Sequence, residues 1–181
     1  MEKSLLDLLR EGGLILYVRH GEATVGEDQP YIHFQNCCTQ RNLSELGRRQ
    51  AIYYGDIVRY LRIPIRLPIQ ASPFCRTIET AQLAFGRVPV QINPFWFEVY
   101  KLDANPLGKE HTLNTLQSIL EMKPPKGTNQ VIIAHGFPDH IGLGQISNMG
   151  TVIIRPLGIG KGYEVLKKLS LEDFAALVSS Q

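Results

Sequence analysis

Short runs of consecutive apolar residues alternate along this chain with longer segments in which apolar residues recur at helical spacing. The runs predict strands over 14–18, 68–71, 88–92, 130–134, 151–155 and 162–168, and residues 95–99 are also predicted to be extended. Apolar residues at helical spacing predict helices over 3–11, 45–61, 73–85 and 109–122, with a short helix from Pro138 and a last helix after Ser170. Strands separated by helices predict a three-layer α/β/α fold with a mainly parallel central sheet.

Three helix starts carry sequence signals. Ser44 is expected to cap the helix over 45–61, and the Ser170-x-x-Asp173 pattern predicts a capping box for the last helix. Ser72 is predicted to be the N-cap of the next helix, with Pro73 at its first position, where the missing N–H of proline does no harm.

Length and composition predict one catalytic domain over 1–181. The chain has 181 residues, of which 44% are hydrophobic and 20% are charged, and its net charge is +2 with a pI of about 8.4. This charge is too mild to indicate nucleic-acid binding, and no cluster of lysine or arginine residues forms a basic stripe. No nucleic-acid partner is therefore expected. No apolar run reaches the roughly 18 residues that a membrane span needs, so no membrane partner is expected either. Charged residues and leucines at helical spacing near the N-terminus do not resemble a signal core, which predicts a cytoplasmic location.

The three cysteines do not look like a disulfide framework. Their number is odd and Cys37 and Cys38 are adjacent, so we expect reduced thiols, in keeping with a cytoplasmic location. His33 lies nearby, but structural zinc sites use spaced pairs such as Cys-x2-Cys, and no second pair exists here. No metal is therefore expected.

Chemistry-bearing residues follow the predicted strands. The run 14–18 ends in Arg19-His20-Gly21-Glu22, and the run 131–134 ends in His135-Gly136. Arginine offers a planar fork of donors suited to phosphate, and histidine can act as nucleophile, acid or base. Since the ends of parallel strands meet at one edge of a sheet, the pattern indicates a site for phosphoryl transfer.

Four motifs in order resemble those of the histidine phosphatase superfamily, which includes the cofactor-dependent phosphoglycerate mutases. They are the Arg-His-Gly-Glu opening, Asn42-Leu43-Ser44-Glu45-Leu46-Gly47, Ser72-Pro73-x-x-Arg76-Thr77, and His135-Gly136. The resemblance implies a phosphoglycerate mutase-like fold and catalysis through a phosphohistidine on His20. It also implies phosphate binding by Arg19, Arg76 and Gly136, with His135 donating to the phosphoryl group. Helix N-termini at residues 73 and 138 are expected to complete this phosphate cradle.

The general acid is less clearly marked. The phosphatase and mutase branch of the superfamily uses a glutamate about two dozen residues after the helix arginine, which implies Glu98, within the aromatic stretch 95–100. Asp103 lies within reach of the same loop and stays open as the alternative. In the acid phosphatase branch an aspartate directly follows the second histidine, where this chain has Gly136, and Asp139 is only a distant substitute.

The loop from Glu22 to Arg41 departs most from the superfamily. Long loops beside a catalytic strand shape substrate access, so Thr24, Asn36, Gln40 and Arg41 are candidates for substrate specificity. The resulting hypothesis is a phosphatase that hydrolyses small phosphate monoesters and needs no organic cofactor. The alternatives are a mutase-type phosphotransferase and an inactive module that binds phosphorylated ligands. Neither the physiological substrate nor the oligomeric state follows from the sequence.

Overall fold

Strands and helices alternate through residues 3–180, the part of the chain that the computed structural model describes. Its helices are α1 (Leu5–Glu11), α2 (Glu45–Tyr60), α3 (Cys75–Phe85), α4 (Phe95–Tyr100), α5 (Lys109–Leu120) and α6 (Leu171–Ala176). Its strands are β1 (Ile15–Arg19), β2 (Ile65–Ala71), β3 (Val90–Ile92), β4 (Asn129–Ala134), β5 (Thr151–Pro156) and β6 (Tyr163–Leu169).

A single mixed sheet has the strand order β3-β2-β4-β1-β5-β6. The strands β3, β2, β4 and β1 run parallel to one another, whereas β5 pairs antiparallel with both β1 and β6. The prediction of a mainly parallel sheet is therefore confirmed. The parallel arrangement brings the carboxyl ends of β1, β2 and β4 to one edge, and the antiparallel β5 begins at that same edge.

The two faces of the sheet are covered by separate apolar clusters. Along β1, Leu16 and Val18 pack into the cluster that contains residues of α1, α2, α3 and α6, while Ile15 and Tyr17 pack with residues of α4 and α5. Successive side chains of a strand point to opposite faces, so a strand buried on both sides needs the continuous apolar run found here. The result is the predicted three-layer α/β/α arrangement.

The predicted caps of α2 and α6 are confirmed. The Ser44 hydroxyl accepts a hydrogen bond from the Gly47 amide, and Ser170 and Asp173 form a reciprocal capping box. The predicted cap at Ser72 is wrong, because α3 begins at Cys75 and its N-cap, Phe74, makes no side-chain cap bond.

Two further local predictions are wrong. Residues 95–99 lie in helix α4, where Trp96 and Val99, three positions apart, are both buried in the core, so tertiary packing overrides the strand preference of aromatic residues. No helix starts at Pro138. The chain turns there, with the Phe137 amide donating to the Gly144 carbonyl, and Gly142 and Gly144 have φ values of 55° and 70°, which a helix does not accommodate.

Cys37 and Cys75 form a disulfide, so the prediction of reduced thiols is wrong, and Cys38 is free and exposed. The two partners are 38 positions apart in the chain. Packing of Phe34 against Phe74, with ring centroids 5.3 Å apart, holds the loop after β1 against the start of α3. A disulfide gives no support to a cytoplasmic location, and that location stays a prediction. None of the helices in 3–180 is long and apolar enough to cross a membrane.

Glycine is required where the end of β1 meets the start of α2. A Cβ atom on Gly21 would lie 2.5 Å from the carbonyl oxygen of Gly47, and a Cβ on Gly47 would overlap the carbonyl oxygen of Glu22. Backbone can approach backbone this closely only where both residues lack a side chain. This contact fixes His20 beside α2.

Candidate active site

Residues from the ends of β1, β2 and β4 meet around one cavity of about 790 Å³. Arg19, His20, Arg76, His135 and Gly136 all line it. The imidazole centroids of His20 and His135 are 5.4 Å apart, although 115 positions separate them in the sequence. The structure thus brings together the proposed nucleophile, the proposed phosphate ligands and the second histidine.

Hydrogen bonding fixes the tautomer of His20. Its Nδ1 lies 2.6 Å from the carbonyl oxygen of Gly21, which can only accept, so Nδ1 carries the proton. Its Nε2 is then a free base, and it accepts a hydrogen bond of 3.3 Å from Nε of Arg76. Burial, together with the Arg76 cation, lowers the pKa of His20 to about 3. The side chain is therefore neutral near pH 7 and can attack an electrophile with Nε2.

His135 is buried beside His20. Its Nε2 and the Ser72 hydroxyl share a hydrogen bond of 2.8 Å, and its backbone carbonyl accepts a bond from the Tyr17 hydroxyl. Burial lowers the pKa of His135 well below its ordinary value, and the neighbouring His20 acts in the same direction. The ring is held neutral by its surroundings, at the edge of the aromatic rings of Phe74 and Tyr100.

Arginine side chains supply the positive charge of the cavity. Arg19 donates from Nη1 to the Ile146 carbonyl, and its buried Nε has no hydrogen-bond partner among residues 3–180. Burial lowers the pKa of Arg19, and the Arg41 and Arg76 cations add to this effect. Three guanidinium groups around one cavity repel one another, so an anion bound among them would relieve that repulsion.

The predicted cradle of helix N-termini is not formed. The loop after Gly136 contains no helix, and the first amide of α3, at Cys75, donates to the Gln40 side chain. The guanidinium groups of Arg19, Arg41 and Arg76 line the cavity.

Three carboxylates line the cavity, and Glu98 is not among them. Glu98 lies on α4 and pairs with Lys101 at 3.0 Å. The lining carboxylates are Glu22, Asp103 and Asp139. Glu22 accepts a hydrogen bond from the Ser44 hydroxyl at 2.8 Å, whereas Asp103 and Asp139 are exposed.

Of the four specificity candidates, Arg41 lines the cavity. Thr24 accepts a hydrogen bond from the Arg41 side chain through its carbonyl. Asn36 caps the short turn at Cys37–Thr39, and the Gln40 amide bonds to the backbone of His33 and Cys75. Thr24, Asn36 and Gln40 thus shape the loop that carries Arg41.

Several residues at the site were not predicted from the sequence. Asp28 pairs with Arg76, and the Tyr100 hydroxyl donates a hydrogen bond to Asp28. The segment before β5 contributes Gln145, Ser147 and Asn148 to the cavity wall. The antiparallel β5 places that segment at the active edge. No local sequence signal marks any of these contacts, since each depends on strand order or loop packing.

Acid is expected to destabilise the protein through His20. The unfolded chain takes up this proton near the ordinary pKa of 6.5, whereas the folded protein does so only near 3, so stability present above pH 6.5 is lost as the pH falls. The loss amounts to about 1.4 kcal/mol per pH unit for one such histidine. Urea unfolding between pH 7 and 4 measures it. His20→Gln should make the dependence shallower, and an unchanged slope would contradict this assignment.

Comparisons with solved structures identify the fold. The phosphoserine phosphatase of Entamoeba histolytica, solved with 3-phosphoglyceric acid, matches with a TM-score of 0.56 and 18% identity over 87% of this chain and 96% of that chain. The product of open reading frame Rv3214 of Mycobacterium tuberculosis matches with a TM-score of 0.57 and 16% identity, over 87% and 97%. A protein titled mycobacterial hydrolase 1 gives 0.58 and 16%, over 87% and 98%.

Comparisons of the sequence alone find no match. No family model matches the chain, and no curated protein matches it. The matching structures cover most of both chains. The chain has the phosphoglycerate mutase-like α/β fold of these solved structures.

Proposed function

We propose that the protein is a phosphatase that hydrolyses small phosphate monoesters through a phosphohistidine on His20. The observation that carries this proposal is the convergence of a neutral, tautomerically fixed His20 with Arg19 and Arg76 in one cavity. Such a site offers a nucleophile and charge-assisted donors to the same phosphoryl group. The structural neighbour from Entamoeba histolytica, a phosphoserine phosphatase, supports the reaction class.

In the first step, Nε2 of His20 attacks the phosphorus atom and the bond to the ester oxygen breaks. The leaving alcohol takes a proton from a general acid. Arg19 and Arg76 stabilise the charge on the nonbridging oxygens, and neutral His135 donates a hydrogen bond to them. In the second step, water gives its proton to the same acid, now acting as base, and its oxygen displaces His20 to release inorganic phosphate.

The test of this function is release of inorganic phosphate from a panel of phosphorylated metabolites, together with an aryl phosphate. Steady multiple turnover is expected on at least one ester, with water as the acceptor. Absence of turnover on the entire panel would favour a module that only binds phosphorylated ligands. Transfer to an added alcohol in place of water would favour a phosphotransferase.

Asp103 is our proposal for the general acid, because it lines the cavity while Glu98 pairs with Lys101 outside it. Asp103→Asn is expected to slow hydrolysis of alkyl phosphates by about 100-fold or more. The rate of hydrolysis of aryl phosphates should fall far less, because a phenolate leaves without taking up a proton. The measurement is kcat/KM for matched alkyl and aryl esters.

Glu98→Gln is the matched comparison, and it should leave the ratio between the two ester classes unchanged. A divergence in Glu98→Gln, with none in Asp103→Asn, would return the role to Glu98. Asp139→Asn tests another carboxylate of the cavity in the same assay. A larger loss on alkyl than on aryl esters in this variant would identify Asp139 as the general acid.

A further inference from the structure

Asp28 carries a buried carboxylate in the loop after β1. Its side chain is 5% exposed, although the neighbouring Glu27 and Gln29 are exposed. A buried charge is costly unless it is paired and fully hydrogen-bonded. The loop therefore folds inward at this position toward a specific partner.

Four donors satisfy the Asp28 carboxylate. Nη1 of Arg76 lies 2.8 Å from Oδ1 and Nη2 lies 3.1 Å from Oδ2, a two-pronged pairing of guanidinium and carboxylate. The Arg41 backbone amide donates to Oδ1 and the Tyr100 hydroxyl donates to Oδ2, each at 2.8 Å. Burial raises the pKa of Asp28, but the bonds from Arg76 and Arg41 outweigh it and hold the pKa below its ordinary value.

The five N–H groups of Arg76 are divided between two directions. Nη1 donates to Asp28 and to the Arg41 carbonyl, Nη2 uses one hydrogen on Asp28, and Nε donates to Nε2 of His20. The remaining hydrogen of Nη2 lies on the same edge of the guanidinium as Nε–H. That edge faces the nucleophile, while the opposite end of the fork is taken by the loop.

The plane of the guanidinium is also held. Its carbon lies 4.2 Å from the ring centroid of Phe74 and 5.7 Å from that of Tyr100. Stacking restricts the tilt of the group, but it leaves rotation within the plane free. The two bonds to Asp28 restrict that rotation.

We propose that Asp28 is a positioning residue for phosphoryl transfer: it holds the far end of the Arg76 fork so that the Nε–Nη2 edge is presented to the phosphoryl group at His20. The inference rests on the proposed function. A phosphoryl group arriving at His20 takes over the Nε–H that Arg76 donates to His20 Nε2, and it meets the remaining Nη2–H beside it. The pair between Arg76 and Asp28 does not break.

A competing role for Asp28 would change the affinity for an anion in the opposite direction. If Asp28 competed with phosphate for Arg76, removing its charge would strengthen anion binding. If Asp28 orients Arg76, removing its charge weakens anion binding, even though the cavity becomes more positive. The affinity for inorganic phosphate therefore separates the two.

The test uses Asp28→Asn in the 181-residue chain. Asparagine has the same shape, but it turns one acceptor into a donor that faces an N–H of Arg76. We expect inorganic phosphate to bind about 10-fold more weakly in calorimetry, and kcat/KM for an aryl phosphate to fall by about 10- to 100-fold. Glu27→Gln is the control, because it removes the same charge from the adjacent exposed residue, and it should change neither quantity.

Unchanged or tighter phosphate binding by folded Asp28→Asn would overturn the proposal. Should Asp28→Asn fail to fold, Tyr100→Phe gives the second test. It removes only one donor to Oδ2, and phosphate should bind about two- to tenfold more weakly. Unchanged binding by Tyr100→Phe would then refute the proposal.

Arg76→Ala distinguishes failure of this inference from failure of the proposed function. Loss of phosphate binding in Arg76→Ala, with normal binding in Asp28→Asn, would leave the phosphatase assignment standing and remove only the role of Asp28. Failure of the wild-type protein to bind phosphate or to turn over any ester would remove the proposed function itself.

Discussion

Replacing His20 by alanine is expected to lower turnover of phosphate esters by about 10⁴-fold or more, because the side chain that we propose as the nucleophile is lost. The fold should survive, since the apolar clusters on both faces of the sheet do not depend on this edge residue. The measurement is kcat for an aryl phosphate, with circular dichroism as the check on folding.

Trapping the intermediate gives the same prediction a direct readout. Quenching the wild-type reaction at alkaline pH should preserve an acid-labile phosphoenzyme, and His20→Ala should yield none. His111→Ala is a matched control, because His111 is exposed on α5 and does not line the cavity. A folded His20→Ala protein that kept most of its activity would refute the covalent mechanism.

Removing the disulfide is expected to lower the free energy of unfolding by several kcal/mol. The double variant Cys37→Ser and Cys75→Ser frees a closed loop of 38 positions, which corresponds to a loss of about 3 to 4 kcal/mol in the free energy of unfolding. For a chain of this size, Tm should fall by about 10 °C. Urea unfolding of the oxidised wild type and the double variant measures the difference.

Cys38→Ser is the matched control, since Cys38 is adjacent to Cys37 but exposed and free. It should leave the free energy of unfolding unchanged. Thiol titration of the unfolded, unreduced wild type should find one free thiol among three cysteines. Three free thiols, or equal stability of the wild type with and without reductant, would contradict the disulfide.

The loop after β1 carries both a cysteine of the disulfide and the carboxylate that pairs with Arg76. The disulfide joins Cys37 to the residue before Arg76, and Asp28 of that loop holds the Arg76 guanidinium. Loss of the disulfide should therefore weaken phosphate binding as well as stability. The loop over residues 22–41 is thus the one that packs against Arg76, which we propose binds phosphate.

The sequence by itself determined the layered α/β architecture and the principal residues around the cavity. Continuous apolar runs such as 14–18 and 131–134 indicate strands that are buried on both faces. A motif at the end of a parallel strand must reach the common edge of the sheet. This is why the sequence alone predicts that His20 and His135 lie close together. The caps at Ser44 and Ser170 were equally predictable, because each is a contact within one turn.

Only the tertiary structure decided the features that depend on distant packing. Residues 95–99 became helical because burial of Trp96 and Val99 outweighed local strand preference, and Ser72 turned from a cap into a partner of His135. Cys37 reached Cys75, and Asp28 reached Arg76, because the loop after β1 folds against α3. Contacts between residues tens of positions apart leave no local pattern in the sequence, since their free energy arises only once the sheet and the loop are in place.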